Sequence, residues 1–389
     1  MIYLDYTADT PPDERVFQTY TEILGRHFAN PNSAHSDGKA AKAVIDNTIS
    51  DIAGMLGVQP DELIFTSGAS EANNFAVKGL AFTNRRKGKH IISTFLEHSS
   101  VSGALTFLQE QGYEIDLVNI LPDGKIDLDN LRSLLRPDTI LCAVCAVDSE
   151  LGTVQPITEI AEIMKGYPNC KLHIDATQAI GKIPFSFAGA DTVSFAPHKF
   201  NGLKGCGVLY KRAGVVLEPL IHGGASTTIY RSGTPDTAAI AACGTALEIT
   251  LNEFDRRRNY VEKLNSGLRA ELAKMPQVRI NSPADAVPHI LNISVSSIKG
   301  ELMQELMDKR GIRISVKSAC SVPNTPSRAV FAVSRDRKNA LSSFRVSLSH
   351  LTTEEEVGEF LKALREIIET NASYLSEQTT NTPIMDIWS

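Results

Sequence analysis

Asp175, Gln178, His198 and Lys199 are the residues whose types and spacing best suit chemistry. Asp175 and Gln178 stand three apart at the end of the apolar run KLHIDATQ, and a second short run, Asp191 to Phe195, ends in His198-Lys199 and a Gly-bearing turn. Two buried strands that deliver polar groups at their C-terminal ends are the usual way an α/β sheet builds a site. A carboxylate on one strand end and a lysine on the next suits pyridoxal phosphate, with the lysine forming the Schiff base and the carboxylate keeping the pyridinium nitrogen charged. Taken alone, the same residues suit equally well a surface lysine after a strand and a helix-capping Asp.

The elements that position these groups follow from the pattern along the chain. Leu63 to Thr66 reads as a short strand that turns at Ser67-Gly68 into a helix beginning near Ser70. Such a junction leaves free backbone N–H groups at a positive helix end, a cup that suits a phosphate. It is neither GxGxxG nor GxxxxGK[ST], which argues against a nucleotide site of those types. From there apolar β-rich runs alternate with helical segments through GVLYKRA, without hairpin signals. That alternation predicts a mostly parallel, doubly wound α/β sheet.

The division expected is an N-terminal extended arm over 1–14, a large α/β domain over 15–255, a smaller α+β domain over 256–374 and a tail over 375–389. The small domain reads as alternating strands at PHILNISVS, IRISV and SSFRVSLS, with helices at 300–310 and 353–370. The polar stretch HGGASTTIYRSGTPDT, 222–237, is a loop of the kind that more often carries function than not.

Composition excludes several classes. With 389 residues, 42% hydrophobic and 22% charged, the chain is that of a globular protein large enough for two cores. A net charge of -6 leaves no basic footprint for nucleic acid. The N-terminus shows no leader pattern and no apolar run reaches the roughly 18 residues of a membrane span, so a cytoplasmic location is expected. Six cysteines are too few for a disulfide scaffold in this length. Cys142 and Cys145 form a CxxC, yet they lie in an apolar strand with no second pair or paired His nearby, so no metal site is expected. Cys320 differs from the other five in lying in a polar stretch, SVKSACSVPNTPSR, with Lys317 and Arg328 near it, a setting that favours a reactive thiolate.

The ordered series NPNSAH, TSGASEANN, EHSSV, ELGTVQPI, HIDATQAIGK, HK, YRSGT, SAC and FRVSLSHLTTEEE resembles the cysteine desulfurases of the class-V aminotransferase family, in the branch serving iron–sulfur cluster and nitrogenase cofactor assembly. The resemblance runs from Tyr3 to about residue 370. It implies the pyridoxal phosphate transferase fold of type I, a large domain with a mostly parallel seven-stranded sheet and a smaller α+β domain. It implies Lys199 as the lysine that carries pyridoxal 5'-phosphate, Asp175 on the ring nitrogen, Gln178 and Ser149 at the ring oxygen, and His98 stacked on the ring. Ala69, Ser70 and His198 would hold the phosphate, with Thr234 reaching the phosphate of the partner subunit in a homodimer. Arg345, assisted by Asn32, would bind the carboxylate of L-cysteine, and Cys320 would take its sulfur as a persulfide for an acceptor protein.

Several positions leave that pattern. Ser149 stands where an Asn is usual, Ala196 and Pro197 replace a small hydroxyl and a Gly, HGGAST replaces HGGGHE, and Lys317 replaces a Gly before SAC. Two other readings therefore stand beside the desulfurase: another pyridoxal phosphate enzyme of this fold, such as a C–S or selenocysteine lyase or an aminotransferase, in which Cys320 carries no sulfur, and a non-catalytic relative.

Overall fold

The computed structural model describes residues 1–316 and 325–380. Cys320 and Lys317 lie outside the described residues. The first strand, β1 (Ile2–Tyr3), precedes helix α1 (Glu14–Arg26), which begins where the Asp13 carboxylate accepts the Arg15 N–H, and α2 (Ser36–Leu56). The α/β alternation then follows: β2 (Leu63–Thr66), α3 (Ala69–Asn84), β3 (His90–Thr94), α4 (Ser99–Glu110), β4 (Glu114–Val118), α5 (Leu128–Leu134), β5 (Thr139–Cys145), α6 (Ile157–Met164), β6 (Lys171–Asp175), β7 (Thr192–Phe195) and β8 (Gly207–Lys211).

Strands β2 to β8 form one seven-stranded sheet in the order β2-β8-β7-β6-β5-β3-β4. Only β8 runs against its neighbours, so the sheet is mostly parallel as expected. Alternation along each strand sends side chains to two cores. Ile64, Ala143 and Leu209 face a cluster with Phe75, Leu80, Val101 and Leu105 of α3 and α4. Phe65, Val144 and Val208 face the other, with Val16, Ile45 and Ile52 of α1 and α2. That second cluster also takes in Cys243 and Leu247 of α7 (Thr237–Asn252). Six strands share one direction, so their C-terminal ends lie along one edge, where open α/β sheets place ligands.

A further body is built by α8 (Phe254–Leu272), β9 (Val278–Ile280), β10 (Ile290–Val295), α9 (Gly300–Asp308), β11 (Ile312–Arg313), α10 (Arg328–Ser334), α11 (Arg337–Ser342), β12 (Ser343–Ser347) and α12 (Glu354–Thr380). Here β10 lies between β9 and β12 in an antiparallel sheet. Three expectations are corrected. Strands β10 and β12 are buried along their whole length rather than alternating. Leu291 and Ile293 join α8 and α12 in one core while Ile290 packs into the sheet's core. The run IRISV supplies, rather than one alternating strand, the two-residue β11, which pairs in parallel with β1, and a bridge from Ser315 to Arg345 of β12. Helix α12 continues to Thr380, past 370 and into the stretch read as a tail. The N-terminal stretch is extended, but it is stitched into this body: Leu4 is fully buried in its core and Asp5 bridges Ser347 of β12.

Candidate active site

The C-terminal ends of β2, β3, β5, β6 and β7 open on one cavity of about 420 Å³. Asp175, the last residue of β6, is nearly buried at its floor. Its Oδ1 accepts the Thr177 N–H at 2.9 Å and its Oδ2 the Asn73 amide at 2.7 Å. Asn73 stands on the buried face of α3, and its partners fix its orientation. Its Oδ1 accepts from His173 Nε2 at 3.1 Å and from the Ser194 hydroxyl, and its Nδ2 donates also to Ser100 Oγ at 2.9 Å. Ser100 Oγ lies 2.8 Å from His98 Nδ1, which accepts the Ser100 N–H as well. His98 Nδ1 is thus an acceptor and the neutral ring carries its proton on Nε2. Burial, with the positive charge of Lys199, pushes the His98 pKa down, against the opposing pull of Asp175.

Lys199 follows β7 on a short 3-10 turn opened by Pro197, a residue suited to a first helical position. Its ammonium donates to the carbonyls of Thr7 at 3.0 Å and Ala8 at 2.6 Å. Burial and the Arg345 charge lower its pKa to about 8, so roughly a tenth is the neutral amine at pH 7. His198 beside it is lowered to about 4 by burial and by Lys199, and is neutral at pH 7.

At one end of the cavity lie Ser67, Gly68, Ala69 and Ser70, at the start of α3. The helix begins without a side-chain cap. The turn lies against β8 so closely that a Cβ on Gly207 would come within 2.4 Å of the Gly68 backbone. Glu71 in the first turn accepts the Ser67 N–H at 2.8 Å and the Arg231 Nε–H at 3.1 Å. Elsewhere on the cavity wall Arg345 of β12 is almost fully buried, donating to Asp5 Oδ1 at 2.9 Å and to the Ser149 carbonyl at 2.8 Å. Ser149 follows β5 on a turn held by Asp148, whose carboxylate accepts the Glu150 and Leu151 N–H groups.

Comparison with known proteins places this geometry. The aminotransferase class-V family profile matches residues 2–360. A cysteine desulfurase IscS from Dictyoglomus turgidum is 37% identical over 373 residues, covering 95% of this chain and 94% of that protein. This chain belongs to the class-V aminotransferase family. A solved NifS-like protein superposes on this family member with a TM-score of 0.89 at 34% identity, over 95% of this chain and 99% of that one. The structure of SspA in complex with cysteine does so with a TM-score of 0.80 at 30% identity, over 91% and 100% of the two chains.

Class-V enzymes use pyridoxal phosphate, and the residues present fit that group. The uncapped start of α3 offers donors to a phosphate, Asp175 is a fixed acceptor, and Lys199 is a partly neutral amine in the same cavity. Among the described residues the buried hydroxyls of Thr7 and Thr177, both lining the cavity, have no hydrogen-bond partner.

Of the residues singled out from the sequence, the structure brings together Lys199, His98, Ala69, Ser70, Ser149, Asp175, Gln178, His198 and Arg345 on the one cavity. Thr234 lines a neighbouring cavity of about 140 Å³ that shares Ser67 with it. Asn32 is exposed and donates to Ser226 Oγ at 3.0 Å, away from the cavity. Arg345 already has an acidic partner, Asp5. Sequence reasoning missed Asn73, Asp5, Thr7 and Glu97. Asn73 carried a signal, a polar residue at a helical position between Ala72 and Phe75, both buried. Glu97 is buried, accepts from Thr94 Oγ1 at 2.7 Å and from the Cys145 N–H at 3.0 Å, and its pKa is raised by burial to about 8. The CxxC pair is buried with thiol pKa values pushed well up by burial, as is Cys170, while Cys243 is pushed up by its hydrogen bond with Cys206 and by burial. No helix among the described residues is long and apolar enough to cross a membrane.

Proposed function

We propose that this protein is a pyridoxal phosphate-dependent cysteine desulfurase that converts L-cysteine to L-alanine and passes the sulfur to Cys320. The observation that carries the reading is the convergence of Lys199, Asp175, the uncapped start of α3 and Arg345 on one cavity, in a chain whose relatives bear that name. Bound pyridoxal phosphate supplies an electron sink that acidifies the substrate Cα–H and weakens its hold on sulfur. Asp175 would hold the ring nitrogen, Gln178 would donate to the ring oxygen, His98 would lie on the ring face, and Ala69, Ser70 and His198 would bind the phosphate.

The chain's own residues then divide the work. Arg345, held by Asp5 and the Ser149 carbonyl, orients the substrate carboxylate as a charged donor. Lys199 in its neutral form removes the Cα proton and returns protons to the carbon skeleton. His98, neutral with its proton on Nε2, would donate a hydrogen bond at the substrate without adding charge. The Cys320 thiolate forms an S–S bond to the substrate sulfur as the C–S bond breaks. The electron pair of that bond stays on carbon and is protonated to give alanine, leaving a persulfide on Cys320 for an acceptor protein.

A homodimer belongs to the same proposal. Thr234 sits beside the phosphate end without lining the cavity, as a residue serving a partner's site would. Phe17 and Leu24 of α1, Phe28 just beyond it and Ile229 in the 222–237 loop are large exposed apolar side chains, of the kind an association face buries. Asn32, bonded to Ser226 of that loop, would act from the same side.

The test is L-cysteine-dependent alanine formation by the purified protein beside Cys320→Ala and Lys199→Ala. Wild type is expected to form alanine and neither variant to do so. Equal alanine formation by wild type and Cys320→Ala overturns the persulfide step and makes the protein a lyase. Retention of the cofactor's visible absorption band and of activity in Lys199→Ala overturns the assignment of the lysine.

A further inference from the structure

We propose that Lys182 is a positioning residue that fixes the side-chain amide of Gln178, so that Gln178 can only donate, never accept, toward the ring oxygen of the bound cofactor. The inference rests on the proposed function and concerns a residue that touches neither substrate nor cofactor.

The orientation of a glutamine amide is decided by its partners. Lys182 Nζ is a donor without acceptor capacity when charged, and it donates to Gln178 Oε1. The Thr7 carbonyl is an acceptor only, and it receives Gln178 Nε2 at 3.0 Å. Both contacts demand the same orientation. One Nε2 hydrogen is used on Thr7, and the second is the donor left for the cavity that Gln178 lines. Without Lys182 the amide oxygen loses its partner and only the Thr7 carbonyl resists a flip, which would present a carbonyl oxygen where the cofactor has an oxygen of its own.

The fold goes to some lengths to bring Lys182 there. Residues 176 to 183 form a tight turn after β6, with Lys182 N–H on the Ala179 carbonyl. Gly181 lies at φ +77°, and a Cβ there would meet Thr250 Cγ2 at 2.4 Å. Glycine is therefore required for the backbone to swing Lys182 back beneath Gln178. Lys182 itself is only 6% exposed. Behind Lys199 it lines a cavity of about 30 Å³ with Arg257, His289 and His350 and no carboxylate, room for about one water. A buried lysine with no acidic partner is costly, and its pKa falls to about 7. A core position alone is served more cheaply by an apolar residue, so the amine is explained by what it holds, the amide of Gln178.

The experiment compares wild-type holoenzyme with Lys182→Met, Lys182→Gln and Gln178→Ala. Three things are read: the pH midpoint of the bound cofactor's visible absorption band, the cofactor dissociation constant after dialysis, and the melting temperature. One lost hydrogen bond to the ring oxygen predicts a midpoint about one pH unit higher in both Lys182→Met and Gln178→Ala. Lys182→Gln, whose amide can still donate to Gln178, is expected to fall in between and serves if the methionine variant does not fold. The cofactor dissociation constant is expected to rise about tenfold in Lys182→Met, with a melting temperature equal to or above wild type because a buried charge has gone. A midpoint that moves in Gln178→Ala but not in the Lys182 variants overturns the inference and leaves the proposed function standing. A midpoint unmoved in Gln178→Ala overturns the placement of Gln178 and the inference with it. A wild type with no cofactor band overturns the proposed function itself.

Discussion

Asn73 holds four polar partners at once, Asp175, Ser100, His173 and Ser194, and so ties the floor of the cavity to His98 on its wall. Replacing it with Ala strands buried donors and acceptors that no water-sized rearrangement can all satisfy. Asn73→Ala is expected to cost about 2–3 kcal/mol of unfolding free energy, the penalty for leaving buried polar groups unmade. Denaturant unfolding measures it, and an unchanged midpoint would show that the network is slack. At Arg345 the consequence is kinetic. Arg345→Lys keeps the charge but gives up the planar fork that bonds Asp5 and Ser149 together. A rise of about tenfold in KM for L-cysteine, with kcat changed far less, is the expected split in steady-state assays.

At the scale of elements, the strand ends decide what meets at the site, and this much was legible in the sequence. Strand β2 and the start of α3 are readable from LIFTSGAS because a short apolar run gives way at Ser67-Gly68 to a helical pattern, and Asp175 and Lys199 are readable because each follows a short apolar run. What the sequence hid was contact across long separations. Asp5 meets Arg345 across 340 positions and Asn73 meets Asp175 across 102, pairings that no local period encodes. The partner of β11 is hidden for the same reason, since it is the first strand of the chain. The loop at 222–237 was recognised by composition, whereas its fastening was not. Arg231 anchors it to Glu71 at the start of α3, with side chains 25% and 15% exposed. Glu71→Gln is expected to speed amide hydrogen exchange across residues 222–236 by about fivefold, the equivalent of roughly 1 kcal/mol for such a pair. Exchange at the wild-type rate would mean that the loop is held by something else.

Over the whole molecule, buried and paired carboxylates pull stability in opposite directions with pH. Asp13 before α1 and Glu253 before α8 share Arg15 and Arg257, joining the two helix starts. Hydrogen bonding with Arg15 holds Asp13 at about 2; Glu253, despite desolvation, is held at about 2 by Arg15, Arg257 and Arg256. Folded pKa values below the unfolded carboxyl range mean that this contribution is complete above about pH 5 and disappears as pH falls toward 2. Glu97 has the reverse sign. Burial raises it to about 8, so between roughly pH 4 and 8 the unfolded chain ionises while the folded chain keeps its proton. Stability from that group is complete in acid and falls as pH rises, at about 1.4 kcal/mol per pH unit while the gap is open. Glu97→Gln mimics the protonated acid and has nothing to ionise. Relative to wild type, its unfolding free energy should climb from pH 5 to pH 8.5, whereas that of Glu253→Gln should start below wild type at pH 6 and meet it near pH 2. Denaturant melts of the three proteins across that range separate the two effects, because the two differences from wild type run in opposite directions with pH. A Glu97→Gln curve parallel to wild type would mean that the buried carboxyl is ionised in the folded protein, and the polar floor beneath Asp175 would then carry a second negative charge.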